Sequence, residues 1–210
     1  SDEVRYVYSN LANTNNGVFA LMDIKENNIK RLVSLHGIIS DVVHKVEMVE
    51  ERIKSMFVGL VNPEDKVHYE KVKSFQDRIF HINIPYVLDY ETEVSIYLNK
   101  FGVSIKKKFL PRVLENFGKI IVSSRMEPDS PAINNWIKDI DTYRKYLDEN
   151  RLLLKMELYK GIIPEWLSEE DIKGFSKEVR KDLIEESEKE GKKGVSGRQS
   201  ISIFNMFFTK

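Results

Sequence analysis

Four polar residues stand at the margins of apolar runs, where a sheet or helix end would present them. Asp23 lies at the end of "VFALMDI" (18–24), and Asn62 closes "MFVGLVN" (56–62). Arg78 opens "RIFHINIPY" (78–86), and Arg198 opens the apolar stripe that follows "GVSG". A carboxylate at a strand end can polarise a water or support Mg²⁺ beside a nucleotide. An amide on the next strand can orient that water or touch a terminal phosphate. A guanidinium at a sheet margin can neutralise developing phosphate charge. A helix N-terminus favours anions. Each residue alone has an ordinary reading as a cap or a surface ion pair. The order is what points to phosphate chemistry: acid, amide and arginine on three successive strands, then arginine on a later helix.

Other chemistries find no support. The chain has no G-x-x-x-x-G-K-[ST] phosphate loop, and "GKKGVSGR" does not replace one. Val-Ala-Ile-Lys, His-Arg-Asp and Asp-Phe-Gly are missing, and Ser196 in "GVSG" lacks the G-x-S-x-G elbow. His36, His44, His68 and His81 form no H-E-x-x-H or similar pair of ligands.

The elements that must position these residues change character along the chain. The runs at 18–24, 56–62 and 78–86 read as buried strands, the last stopped by Pro85. Between the first two, "IKRLVSLHGIISDVVHKV" has helical spacing. Strands interleaved with helices predict a parallel α/β sheet. Beyond it the pattern is helical. "YETEVSIYLNKFG" ends at Gly102, and "LPRVLENFGKIIVSSRM" has Pro111 near its first turn. "EPDSPAINN" and "GIIPEW" read as loops. "SEEDIKGFSKEVRKDLIEESEKEGKKG" reads as one charged helix with a capping box from Ser168 to Asp171. The expected division is an α/β part at 1–88 and a helical part at 89–210.

With 41% hydrophobic and 31% charged residues, the 210-residue chain is long enough for a real core. Lys+Arg 33 balances Asp+Glu 33, which argues against nucleic acid or an anionic membrane as partner. Cysteine is absent, and neither an apolar run of membrane-spanning length nor a signal peptide stands out. A cytoplasmic location is the expectation. Ser1 in place of an initiator Met reads as a piece of something longer.

The ordered residues resemble the late half of an AAA+ ATPase module. "GVFALMDIKENNIKRLVSLHGIISD" is similar to a Walker B strand and its helix, and "MFVGLVNPED" to a sensor-1 strand. "FQDRIFHINIPY" resembles an arginine-finger segment, and "GVSGRQSISIFNMF" a sensor-2 helix of the MoxR and magnesium-chelatase branch. Closer still is the likeness to bacterial PrkA serine protein kinases. It rests on "SFQDRIFHINIPYVLDYETEVSIYLNKF", with its D-R-I strand and E-[IV]-x-I-Y helix, on "GKIIVSSRMEPDSPAI" and on "EGKKGVSGR".

That resemblance implies a partial AAA+ P-loop NTPase core of parallel strands with flanking helices, followed by an all-helical lid. The phosphate loop would lie upstream of Ser1 and a kinase-assigned region downstream of Lys210. It implies ATP and Mg²⁺ as cofactors of the full-length protein, bound weakly or not at all by this stretch. Asp23 matches the metal- and water-polarising acid, Asn62 sensor 1, Arg78 the finger and Arg198 sensor 2. Arg125, in "SSRM", is a further nucleotide-binding match. A protein substrate and a homo-oligomer are implied for the full-length form. Where PrkA relatives resemble G-h-h-E-F-V-E, Ala20 replaces the first acid, leaving Asp23 alone. The rival reading is a degenerate AAA+ scaffold or protein-interaction module without hydrolysis, which exposed apolar surface on 131–190 would favour.

Overall fold

The computed structural model describes residues 10–22, 24–25, 35, 39, 41–46, 49–65 and 79–209. Asp23 and Arg78 lie outside them. The chain divides into two compact units, Ser1–Ile82 and Asn83–Lys210.

The first unit holds β1 (Val18–Leu21), β2 (Val43–Val46), β3 (Val49–Arg52) and β4 (Met56–Gly59). β1 runs parallel to β4 with Phe19 opposite Phe57, whose rings sit 5.4 Å apart. That pair joins buried Leu11 and Ile53 in one small cluster, while Ile24 gathers Leu21, Ile39, Val61 and Ile79 in another. β2 and β3 form a separate antiparallel pair. The strand at 43–46 falls inside the stretch expected to be helical. Val43, Val46 and Val49 are β-branched and suit a pleated surface, and the left-handed Val42 (φ 57°) breaks the chain just ahead of them.

The expected α/β core is not there. Among the described residues each sheet has two strands, and Ile79–Tyr86, read as a third parallel strand, joins neither. Its alternating Phe80, Ile82 and Ile84 are exposed. Pro85 has no N–H to give, and the Tyr86 N–H goes to the Gly191 carbonyl (2.8 Å) instead of a neighbouring strand. Alternation marks a β-compatible segment, but a strand exists only where a partner ladder does. The chain is dominated by helices, with no P-loop sheet flanked by helices among the described residues.

The second unit contains seven α-helices among its described residues: α1 (Tyr90–Phe101), α2 (Val113–Ser123), α3 (Pro131–Trp136), α4 (Leu152–Tyr159), α5 (Glu169–Lys173), α6 (Lys177–Ser187) and α7 (Gly197–Phe208). Asp89 caps α1 by accepting the Glu91 and Thr92 N–H groups, and the helix stops at Gly102. α3 occupies part of the stretch expected to be a loop. Ser130 accepts the Ile133 N–H and Pro131 takes the first turn, a helix start that Ser-Pro encodes. The long charged helix expected over 168–194 is two, because Gly174 ends α5 and Ser176 caps α6 anew. At α7 the Ser196 and Gln199 side chains and backbones bond reciprocally.

Two apolar clusters dominate this unit. Around Phe204, fully buried on α7, pack Tyr97, Leu114, Phe101, Phe109 and Phe117, with the Tyr97 and Phe204 rings stacked at 4.5 Å. α3, α4 and α6 enclose a second, containing Ile133, Trp136, Ile137, Leu158 and Leu183.

Candidate functional site

The sequence-derived candidates scatter. Asp23 and Arg78 fall outside the described residues, and Asp23's neighbours differ sharply: Met22 is exposed and Ile24 buried. Asn62 is three residues past the end of β4, exposed, and its carbonyl accepts the Asp65 N–H (3.0 Å) in a short 3-10 turn. Arg198 is exposed in the first turn of α7. Of the described candidates Arg125 alone is buried, and it anchors a polar cluster in the interior of the helical unit.

Arg125 follows α2 and points into the junction of α1, α2 and α7. Its Nε donates to the Val195 carbonyl (2.8 Å), and its Nη1 to the Val87 carbonyl (2.8 Å) and Glu93 Oε2 (2.8 Å). Glu93 and Tyr97 are one turn apart on α1, so both face the same way. The Tyr97 hydroxyl donates to Glu93 Oε1 (2.9 Å) and lies 2.6 Å from Ser200 Oγ. Ser200, in the first turn of α7, also donates to Glu93 Oε1. Two hydroxyl protons thus serve three contacts. Burial alone would push the Glu93 pKa up, but hydrogen bonds from Arg125 and Ser200 and the Arg125 charge outweigh it and hold the carboxyl below its usual range. Burial pushes the Tyr97 hydroxyl well above its usual value.

The turn before α7 wraps this cluster. The Gly191 N–H donates to the Arg125 carbonyl (3.1 Å). At Gly194 (φ 91°) a Cβ would meet the Ser124 carbonyl oxygen at 2.1 Å, so only glycine fits.

A second buried charge sits on α4. Lys155 Nζ donates to the Glu127 carbonyl (2.6 Å), the Asp129 carbonyl (3.2 Å) and Glu190 Oε1 (2.5 Å). The Tyr159 hydroxyl, one turn on, donates to the same Glu190 oxygen (2.8 Å). Glu190 Oε2 is buried with no hydrogen-bond partner. Burial, then the hydrogen bond to Glu190, raises the Tyr159 hydroxyl far above its usual pKa.

A serine beside a carboxylate, a tyrosine and an arginine looks like a catalytic set. Here Ser200 and Tyr97 have no exposed surface and both Glu93 oxygens are occupied. These groups clamp helices together and do not face a substrate. Sequence reasoning passed over Glu93, Tyr97, Lys155, Glu190 and Ser200. The i, i+4 spacing of Glu93 and Tyr97 in "ETEVSIY" was the available signal. Among the described residues no group of three or more His, Asp or Glu side chains can hold a metal ion, and no helix is long and apolar enough to cross a membrane.

Residues 153–210 match the family model of the PrkA serine protein kinase C-terminal domain. No curated protein and no solved structure matches the chain. The matched stretch runs from α4 through α7. It is the stretch that the resemblance assigned to an AAA+ lid, with the PrkA-specific region expected beyond Lys210. The AAA+ reading is therefore corrected on two grounds: the match is to the C-terminal domain of that family, and the parallel sheet of a P-loop core is missing from the described residues. The labels of ATP-binding module, ATPase and kinase for this chain fall with it.

Proposed function

We propose that the helical unit, residues 83–209, of which 153–210 matches a PrkA serine protein kinase C-terminal domain, is a protein-interaction module that works without nucleotide hydrolysis. One observation carries the reading. The unit's buried charges are spent on holding its helices together, while large apolar side chains stay on its surface. Tyr146, Leu153, Ile162, Ile172 and Ile184 are exposed within 131–190, and Leu110, Ile120 and Met206 are more so. Where such groups form a contiguous patch, they mark a surface that other proteins cover.

Two measurements on the 210-residue chain test this. Calorimetric titration with MgATP, the cofactor implied by the resemblance, should give no heat of binding, and phosphate release should equal the blank. Lysine-reactive cross-linking of the purified chain returned to its native extract should yield intermolecular links that map to 83–209. Micromolar MgATP affinity with turnover would overturn the reading, as would intermolecular links confined to residues before 83.

A further inference from the structure

The charge on the helical unit is unevenly distributed. Between residues 94 and 126 the chain carries seven Lys or Arg and a single acidic residue, Glu115. Three of these cations, Lys106, Lys107 and Lys108, lie on the 3-10 turn Val103–Lys108 and are exposed. Among the described residues no ion pair reaches them. Farther along, Lys155, Lys160, Lys173, Lys181 and Lys193 pair with carboxylates, and Lys138, Lys145, Lys177, Lys189 and Lys192, which do not among the described residues, each lie within three positions of an Asp or Glu, as Lys106, Lys107 and Lys108 do not. Uncompensated lysines are one half of the anomaly.

Exposed apolar residues are the other half. Val103 is 70% exposed, Leu110 78% and Phe207 45%. They share one region: Phe109, next to Leu110, stacks on Phe207 (5.6 Å), and Lys108 Nζ lies 4.9 Å from the Phe208 ring centre. In a 3-10 helix residues i and i+3 eclipse, so Val103 and Lys106 stand in one row about 6 Å apart. Apolar and cationic groups therefore lie side by side on this surface.

We infer that this face, built from Val103, Lys106, Lys107, Lys108, Leu110 and Phe207, docks an acidic amphipathic segment of a partner protein. The inference rests on the interaction-module reading and specifies which surface and what partner chemistry. Charge complementarity requires an anionic occupant. A nucleic acid strand would engage the lysines but would leave Val103 and Leu110 bare, and the Phe109 and Phe117 rings are already stacked against neighbours. A lipid surface takes a longer amphipathic helix whose apolar face is separate from its basic one, whereas here a six-residue 3-10 turn puts Val103 and Lys106 in the same row. In a second copy the acidic helix among the described residues is α5, whose Glu169, Glu170 and Asp171 come with the single exposed apolar residue Ile172 on five residues, too short to cover Val103, Leu110 and Phe207 together. A helix or strand with acids between apolar anchors satisfies both halves at once.

Fluorescence anisotropy tests this, with the full chain and a labelled peptide of about 16 residues carrying Glu and Leu in helical register. At about 50 mM salt the expected Kd is in the tens of micromolar, weakening about tenfold near 300 mM. Lys106→Glu/Lys107→Glu should raise Kd at least tenfold, and Leu110→Ser, which leaves the charge alone, about fivefold. Unchanged helical circular dichroism and denaturation midpoint confirm that each variant is folded. Three results overturn the inference: no binding by folded chain, equal binding by Leu110→Ser, or tighter binding of oligo-dT or phosphatidylserine vesicles than of the peptide. If cross-links in native extract map to 83–209 but away from this face, the docking inference falls and the interaction-module reading stands.

Discussion

The two buried charge clusters of the helical unit solve one problem with different completeness. Around Arg125, both Glu93 oxygens and two backbone carbonyls have partners. Around Lys155, the ammonium spends its donors on two carbonyls and one carboxylate oxygen, and the other oxygen, Glu190 Oε2, goes unpaired. A planar guanidinium reaches several acceptors in fixed directions, whereas an ammonium acts as a compact point charge. The arginine cluster ties together segments far apart in sequence, with Glu93 and Ser200 separated by 107 positions. Lysine's cluster ties α4 to the loop before α3 and to the end of the charged region. The first is a clamp on the whole helical arrangement, the second a local fastening.

Arg125→Ala breaks the better-satisfied cluster and should have the largest effect. It strands a buried carboxylate and two carbonyls, a loss of about 3–5 kcal/mol. Both tryptophans, Trp136 and Trp166, lie in this unit, so a urea titration followed by their fluorescence reads the drop in midpoint. Lys155→Met should cost less, about 2–3 kcal/mol, because Tyr159 still donates to Glu190. The double change Lys155→Met/Glu190→Leu should then return to within about 2 kcal/mol of the parent, because it removes the unpaired Glu190 oxygen while the Glu127 and Asp129 carbonyls and the Tyr159 hydroxyl lose these partners. The matching change Arg125→Met/Glu93→Leu should recover less, since it relieves no unpaired oxygen, strands the Val87 and Val195 carbonyls and takes Glu93 from both hydroxyls, which keep only each other. Equal recovery of both doubles would erase the distinction.

Acid provides a gentler probe. The Glu93 carboxyl is held below its ordinary value of 4.5 in the folded chain. In that window the unfolded chain binds more protons, so stability rises with pH. The Glu93 contribution is fully present above pH 4.5 and is lost as pH falls through the lower, folded value. Urea midpoints measured from pH 6 downward should show an acid step that Glu93→Gln removes. A step that survives in Glu93→Gln would assign it to other carboxylates.

What could be read from the sequence was local. The β1 and β4 runs, the Gly102 stop and the Ser168 and Ser196 caps depend on neighbours within a few residues, and the chain spells them out. Errors arose where partners decide. Val43–Val46 fitted a helical period until β3 paired with it, and Ile79–Tyr86 fitted a strand that no ladder completes. Arg125 was singled out by likeness to a nucleotide-binding segment, but its partners lie 32, 38 and 70 positions away and no local pattern names them. Glu93 and Tyr97 share a helix face legibly, while what they hold comes from α7. The family match at 153–210 includes "EGKKGVSGR", one of the three segments on which the PrkA resemblance rested.

The finest comparison is between single hydroxyls in the two clusters. Ser200 belongs to a triangle in which two protons serve three contacts, so its removal leaves Glu93 Oε1 with the Tyr97 proton and Oε2 with Arg125. Ser200→Ala should therefore cost only about 0.5–1 kcal/mol. Tyr159 has no such substitute: among the described residues, its hydroxyl and Lys155 are the donors to a carboxylate already short of a partner. Tyr159→Phe should cost about 1.5–2 kcal/mol, at the lower end for a hydrogen bond to a charged group. Urea midpoints of the two variants, measured side by side at neutral pH, decide it. A larger loss for Ser200→Ala would mean that the arginine cluster has no redundancy and that completeness of hydrogen bonding, not its surplus, sets its strength.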